Sequence, residues 1–366
     1  MGGRTRRLAR ALAKRGHDVT FVEFPSVRAA LREHLQFGPR RIEQDGMNIV
    51  RLCPLPGFGR VNSPLVDQAW VRLAGKQLRH WIDVLPRSTF IVSTPWWLPV
   101  VNHLPRKAMC YDCTDHISVH IGAVPEGRFT AWHETLLNSS DLVTAVSSPL
   151  IDHLASRTPR DRLCLLTNGV DPELIANGQN GTAHAAASQT TAGFVGALFN
   201  WVNVKLIAET AQRLEDVVFR IIGPRHPGVD MAPLLACPNV RIEDEVDYAE
   251  VPAIMRSFDV GLIPFKDEVI ARCADPLKLY EYCAAGIPVV SSIRFRPHDV
   301  QTPISVGGDS ASMASSIAEA VRTDDGPHRS ERMAFAARHT WDAKAGEFLE
   351  HLDRALTNPV QPPQVA

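Results

Sequence analysis

The sequence predicts an α/β protein of two domains, each a parallel sheet covered by helices on both faces. Three observations predict it. Short apolar strands alternate with helical patterns in both halves of the chain. A stretch without large apolar side chains, residues 177–192, separates the two series. The length of 366 residues suits about two domains. With 45% apolar and 22% charged residues, the composition excludes collagen-like, mostly disordered and disulfide-scaffold chains. No run reaches the roughly 18 unbroken apolar residues needed to cross a bilayer. The richest, residues 90–101, is interrupted by Pro95 and Pro99. No apolar signal segment follows Arg4, Arg6 and Arg7, so a cytoplasmic protein with reduced thiols is expected.

The first domain is expected over residues 1–176. It opens with a helix, TRRLARALAKRG, whose apolar side is Leu8, Ala11 and Leu12 and whose stop is Gly16. Strands follow at DVTFVEF, NIVRLCP, TFIVSTP, AMCYDC, LVTAVSS and LCLLTNG, with helices such as VDQAWVRLAGKQLRHWI and FTAWHETLLNSS between them. A doubly wound domain starts with a strand, then a Gly-rich turn, then a helix. Met1-Gly2-Gly3 supplies only the turn, so we expect the first strand to be missing and the true start to lie upstream. After the 177–192 linker, the second domain is expected over residues 193–338. Its strands are AGFVGAL, VVFRIIG, NVRIED, DVGLIPF and IPVVSS, and its helices VKLIAETAQRL, YAEVPAIMRS and PLKLYEYCAAG. A last helix over 339–357 shows an apolar side of Trp341, Ala345, Phe348, Leu349, Leu352 and Leu356 and should pack back on the first domain; the tail 358–366 should be disordered.

A net charge of −1 gives no general attraction to nucleic acid. Residues 1–41, however, hold ten Lys or Arg against three acids, a net charge of +7. Such a stretch is either a solvated helix face or a contact with an anionic membrane surface or substrate. Of the seven cysteines, Cys110 and Cys113 form the single CxxC. They fall on a strand, where positions three apart point to opposite faces, and no second pair completes a metal site.

The segment 275–291, DPLKLYEYCAAGIPVVS, carries the most chemistry. Pro276 fits the first turn of a helix. The amides of Leu277, Lys278 and Leu279 would then lack intrahelical partners, and such a tip attracts phosphate. Lys278 adds a cation there. Glu281 lies one turn on, where a carboxylate can accept both hydroxyls of a ribose; alternatively, Lys278 and Glu281 simply pair in solvent.

EYCAAGIPVV resembles the nucleotide-sugar site of GT-B glycosyltransferases, above all the retaining family 4. GFVGALFNW (Gly196, Ala197) and FRIIGPR (Gly223, Arg225) are similar to the two phosphate-side turns of that family's donor domain. LLTNGVD resembles the turn closing its first domain, and NVRIEDEVDYAEVPAIMRSFDVGLIPF the stretch leading to its active-site loop. The resemblance implies two Rossmann-like domains with parallel sheets facing an interdomain cleft. It implies a hexosyltransferase moving a sugar from a nucleotide-diphosphate donor to an acceptor hydroxyl, with retention. It makes Gly196, Ala197, Gly223, Arg225, Asp275, Pro276, Leu277, Lys278, Leu279 and Glu281 the donor-binding candidates.

The sequence departs from the family twice. Cys273 stands where the first of the family's two glutamates belongs, leaving Asp275 as the nearest acid and suggesting a divergent subgroup with the signature D-P-x-K-x-x-E-Y. The basic pair after the first donor strand is replaced by Asn200-Trp201-Val202-Asn203, so Lys278, Arg225, Lys266 or Arg272 must supply the positive charge. On the acceptor side, Asp115 and His116 end a strand and are candidates, with Lys278, for the catalytic set. Trp96-Trp97 forms either a sugar platform or core. No Asp-x-Asp triplet offers a metal site, so the nucleotide sugar is expected to react without metal or other cofactor. Expected acceptors are a polysaccharide, a lipid-linked sugar or a small natural product, with the protein peripheral to the inner face of the membrane. Two other functions fit the same fold: a nucleotide-sugar epimerase or pseudo-glycosyltransferase, and a non-catalytic sugar- or nucleotide-binding subunit.

Overall fold

The computed structural model describes residues 3–23, 40–52, 63–120, 127–179, 189–295 and 302–357. The chain divides into two units. One comprises Gly2–Val146, Leu150–Leu166 and Ala345–Ala366; the other comprises Ser147–Pro149 and Thr167–Lys344. The division after Leu166 comes ahead of the 177–192 linker, of which 180–188 lie outside the described residues, as does the tail 358–366.

The first unit contains α1 (Arg4–Lys14), β1 (Thr20–Glu23), β2 (Arg40–Gln44), β3 (Met47–Arg51), α2 (Pro64–Trp81), β4 (Thr89–Val92), α3 (Leu98–Val101), β5 (Ala108–Cys113), α4 (Arg128–Ser139), β6 (Leu142–Ala145), most of α5 (Ser148–Leu154) and β7 (Leu163–Leu165). One parallel sheet is the expectation, but the described strands form two. β4-β5-β6-β7 are all parallel, while in β1-β3-β2 only β1 and β3 are. The β2–β3 hairpin turns on Asp45-Gly46, both at positive φ (55° and 73°), the backbone a two-residue hairpin requires. In the doubly wound order, the strand preceding the first helix lies between those here named β1 and β4. β1 is half-buried throughout and β4 along three of its four residues, whereas every residue of β5 and β6 is buried. β1 and β4 are each the outermost strand of their sheet.

α1 turns Leu8, Ala11 and Leu12 inward, together with Arg4 and Arg7. Arg4 (6% exposed) meets Asp112 on β5 (0%) through Nε–Oδ2 at 3.0 Å and Nη2–Oδ1 at 2.9 Å. Its Nη2 also donates to the Leu166 carbonyl, and Thr144 Oγ1 donates to Asp112 Oδ1 at 2.7 Å. This buried pair has its hydrogen bonds met on both sides, the condition under which burial of charge is tolerated. The basic first stretch is therefore not a uniform surface patch. Arg4 and Arg7 are interior, and Arg6 pairs with Glu23. Arg28 and Arg32 lie outside the described residues.

The second unit contains β8 (Thr191–Val195), α6 (Val204–Arg213), β9 (Val218–Ile222), β10 (Val240–Glu243), β11 (Val260–Ile263), α7 (Leu277–Ala285), β12 (Val289–Ser291), β13 (Ser305–Val306), α8 (Ser310–Arg322) and α9 (Gly326–Arg338), and the first turn of α10 (Trp341–Thr357). Six parallel strands run in the order β10-β9-β8-β11-β12-β13. The chain winds outward one way from β8 and the other way from β11. The switch point between them is where open α/β sheets bind ligands, beyond the carboxyl ends of the strands.

Replacing Arg4 by Met strands the Asp112 carboxylate in the core. We expect a loss of about 3 kcal/mol of stability, read as a lower urea midpoint at pH 7; an unchanged midpoint contradicts this account of the pair.

Candidate functional site

α7 starts at the switch point. Pro276 stands just outside the helix, with φ −66° and ψ 124°, rather than inside its first turn as expected. Leu279 N–H donates to the Pro276 carbonyl at 3.0 Å. Only the amides of Leu277 and Lys278 are therefore left without partners among the described residues, not three. No side chain caps this end, and both residues are half-buried. Two unpaired N–H groups and the positive end of the helix dipole meet at this tip, an arrangement that favours an anion, and the Lys278 ammonium lies nearby on Glu281, one turn on.

Asp275 fixes where that tip lies. Its carboxylate accepts the Asn168 amide at 2.5 Å and the Tyr280 hydroxyl at 2.9 and 3.0 Å, while Asn168 Nδ2 donates to the Asp275 carbonyl. The buried Asp275 thus ties the Asn168-Gly169 turn to the start of α7 instead of reaching for the helix's own first amides. Gly169 is itself closed in, since a Cβ there would stand 2.9 Å from the His339 carbonyl oxygen.

Glu281 is 2% exposed and held from two sides: Lys278 Nζ donates to Oε2 at 2.6 Å, and Tyr248 Oη donates to Oε1 at 3.1 Å. Lys278 and Glu281 do pair, but around a buried carboxylate rather than in solvent. Tyr248 is not among the sequence candidates. The signal for it was its place in EVDYAEV, a segment read for its resemblance to the stretch leading to the family's active-site loop without assigning the tyrosine a role. The tyrosine of the signature, Tyr282, is structural: its hydroxyl donates to the Gly193 carbonyl and accepts from Val195 N–H, both on β8.

The loops at the other strand ends interlock. Gly196 N–H donates to the Ile222 carbonyl and Leu198 N–H to that of Pro224. Gly223 has φ +138°, and a Cβ on it would stand 2.2 Å from the Gly196 oxygen. This glycine serves the contact between the two turns. Ala197 is half-buried beside Gly196. The loops after β8 and β11 join through Asn203 N–H to the Pro264 carbonyl at 2.7 Å and Lys266 N–H to the Trp201 carbonyl at 2.8 Å. Of the cations, Arg225 is exposed and bound to Asp244, and Arg272 to Asp267. Lys266 is half-buried and makes no ion pair with a described residue. Cys273 is buried, and burial pushes its thiol up to about 11, so it is neutral at ordinary pH.

In the first unit, Asp115 and His116 follow β5. Asp115 is exposed and accepts the Thr114 hydroxyl at 2.7 Å. His116 is buried, its ring 4.2 Å from that of His153. Ser118 N–H donates to His116 Nδ1, which places the proton of the neutral imidazole on Nε2. Burial first, then His153 and Arg157, lower the pKa of His116 from its ordinary 6.5; burial and Arg157 do the same for His153. Trp96 and Trp97 pack on the core beside Trp70 and Leu78, and Trp96 meets Phe129 edge to face. Cys110 and Cys113 are buried, unoxidised thiols raised by burial.

Residues 1–174 match the family model Glycosyltransferase Family 4, and residues 189–323 match Glycosyl transferases group 1. A protein named as a teichuronic acid biosynthesis glycosyltransferase, TuaH of Bacillus subtilis, is 27% identical over 245 residues. That match takes in 63% of this chain but 59% of TuaH, less than two thirds of its length. Among solved structures, the sucrose-phosphate synthase of Thermosynechococcus elongatus superposes with a TM-score of 0.71 at 15% identity, covering 97% of this chain and 94% of the other. HepE of Anabaena, solved with UDP-glucose, gives 0.65 at 16% identity and 96% coverage of both. These structures share the GT-B fold, and with both halves matched to glycosyltransferase families, the chain belongs to the GT-B glycosyltransferases of the family 4, group 1 type.

Proposed function

We propose that the protein transfers a hexosyl group from a nucleoside-diphosphate sugar to a hydroxyl of a growing polysaccharide or lipid-linked glycan, on the cytoplasmic side. The observation that carries it is the α7 tip at the switch point, with two unpaired amides, Lys278 and the clamped Glu281. HepE, solved with UDP-glucose, and TuaH, named for polysaccharide synthesis, support the donor and acceptor classes. The amides of Leu277 and Lys278 with the Lys278 ammonium receive the β-phosphate and hold the charge that grows on it as the sugar–phosphate bond breaks. This stabilisation stands in for a metal ion. Glu281 takes the ribose hydroxyls, and Gly196, Ala197 and Gly223 line the backbone side of the diphosphate. Arg225 reaches the donor only by leaving Asp244.

Because Cys273 cannot supply a carboxylate and Asp275 is engaged by Asn168 and Tyr280, the donor sugar is held without the first glutamate of the family pattern. His116, neutral and carrying its proton on Nε2, orients a sugar hydroxyl as a donor of hydrogen bonds, with the exposed Asp115 as the acceptor-side base. The anomeric configuration is retained.

Lys278→Ala lowers kcat by about a hundredfold, whereas Glu281→Ala weakens UDP binding by about tenfold or more. Isothermal titration with UDP and turnover of UDP-glucose measure both, and wild-type values for the pair reject this site. Tyr248→Phe removes one of the two bonds orienting Glu281. It should raise the donor KM by about tenfold with kcat little changed and reduce discrimination between UDP and its 2′-deoxy analogue. A general loss of fold instead lowers kcat and leaves that discrimination alone.

His116 and His153 should titrate below 6.5 by NMR, and Arg157→Gln should raise both midpoints. Since the folded state holds these protons more weakly than the unfolded chain, stability is full above 6.5. It falls as pH drops through the lowered folded values. Midpoints at or above 6.5 contradict the proposed neutral imidazoles.

A further inference from the structure

The outward side of α2 carries three cations that nothing described neutralises. Arg72, Lys76 and Arg79 stand at i, i+4 and i+7, so they share one side of the helix. All three are exposed, and none makes an ion pair with a described residue. The sole acid of α2, Asp67, is paired with Arg128 on α4. Some exposed cations elsewhere are matched, as Lys205 is with Glu209, Arg225 with Asp244 and Arg322 with Glu319, and others, such as Arg87 and Lys107, are not; what sets α2 apart is three on one side of one helix. One heptad before Arg72, on the same side, stands Leu65, 76% exposed and the most exposed large apolar side chain among the described residues.

Beside this row runs a groove of about 420 Å³ between α2 and the α3 region. Val71, Val100 and Leu104 give it an apolar lining, and Arg72, Arg79 and His103 stand in its wall with Asp67, whose charge is met by Arg128. The Arg79 guanidinium lies over Gly75, at ordinary contact distance (3.4 Å) from where a Cβ would be.

We propose that this side of α2 rests on an anionic phospholipid surface, with the groove receiving a headgroup phosphate and Leu65 entering the interface. Charge complementarity selects the partner. An unmatched row of guanidinium and ammonium groups is drawn to a negatively charged surface, and the exposed leucine gains only where apolar chains are within reach. The first 41 residues are a weaker choice, because Arg4 and Arg7 are interior and Arg6 is paired. Phosphate recognition by planar guanidinium groups also explains two arginines at the groove.

The test is co-sedimentation of the full chain with vesicles of phosphatidylglycerol and phosphatidylcholine, against phosphatidylcholine alone. The wild type should bind only the anionic vesicles and release as salt is raised. Arg72→Gln, Lys76→Gln and Arg79→Gln together should weaken binding about a hundredfold, at roughly fivefold per charge. Leu65→Ser should weaken it further at constant charge. UDP affinity and melting temperature, both unchanged, show that these variants are folded; they also keep this test separate from the donor site. Failure of the wild type to bind anionic vesicles overturns the proposal, as does undiminished binding by the triple variant. Capture of a soluble sulfated polysaccharide without vesicle binding overturns it as well, by making the row an acidic-glycan site.

Discussion

The donor end of the second unit depends on one buried carboxylate. Asp275 lies before α7 and does not cap it, so the two amides proposed to receive a phosphate stay open. It directs both oxygens elsewhere, to the Asn168 amide and the Tyr280 hydroxyl one turn into the helix. The helix is thereby fixed at its start by groups that leave its first N–H donors open. A bound anion then meets a preorganised surface and no rearrangement is required to receive it. The same bond brings the Asn168-Gly169 turn to the helix, and the backbone of that turn pairs with His339 and Trp341. Three segments far apart in sequence thus set the position of two amides.

The D-P-x-K-x-x-E-Y signature divides between structure and chemistry. Asp275 joins the non-signature Tyr280, and the signature tyrosine, Tyr282, bonds β8; both belong to the frame. Lys278 and Glu281 pair with each other on the first turns of α7. Pairing them is not idle, because an ammonium 2.6 Å from a nearly buried carboxylate fixes the direction of its oxygens. Tyr248 then completes the orientation from a different element.

Much of the fold was legible because parallel strands buried on both faces read as continuous apolar runs, and each had a helix pattern after it. The β2–β3 hairpin was not read. Its strands, RRIEQ and MNIVR, are short and charged, and Asp45-Gly46 between them was the signal to follow. At the site, Lys278 and Glu281 were found because helix spacing puts them together. The role of Asp275 was not, because both its partners' contributions are tertiary: Asn168 lies 107 residues away, and Tyr280 acts through its hydroxyl rather than its place on the helix. Likewise, the ten cations of the first 41 residues could be counted but not sorted. Arg4 is interior only because Asp112 is waiting for it on a central strand.

The sheet of the second unit contains two bare positions directly beneath rings. A Cβ at Gly261 would stand 2.6 Å from the ring of Tyr282, and one at Gly193 would stand 2.2 Å from that of Phe258. Each glycine and its ring divide a fixed volume unequally, with nothing on one side and everything on the other. Neither member of a couple can drift alone. An alanine in the strand demands a smaller partner below, and a smaller partner at 282 gives up the hydroxyl that anchors α7 to β8. The helix that bears the donor amides is therefore locked to its sheet by mutual exclusion of bulk, which ties the mutational freedom of the scaffold to that of the chemistry it carries.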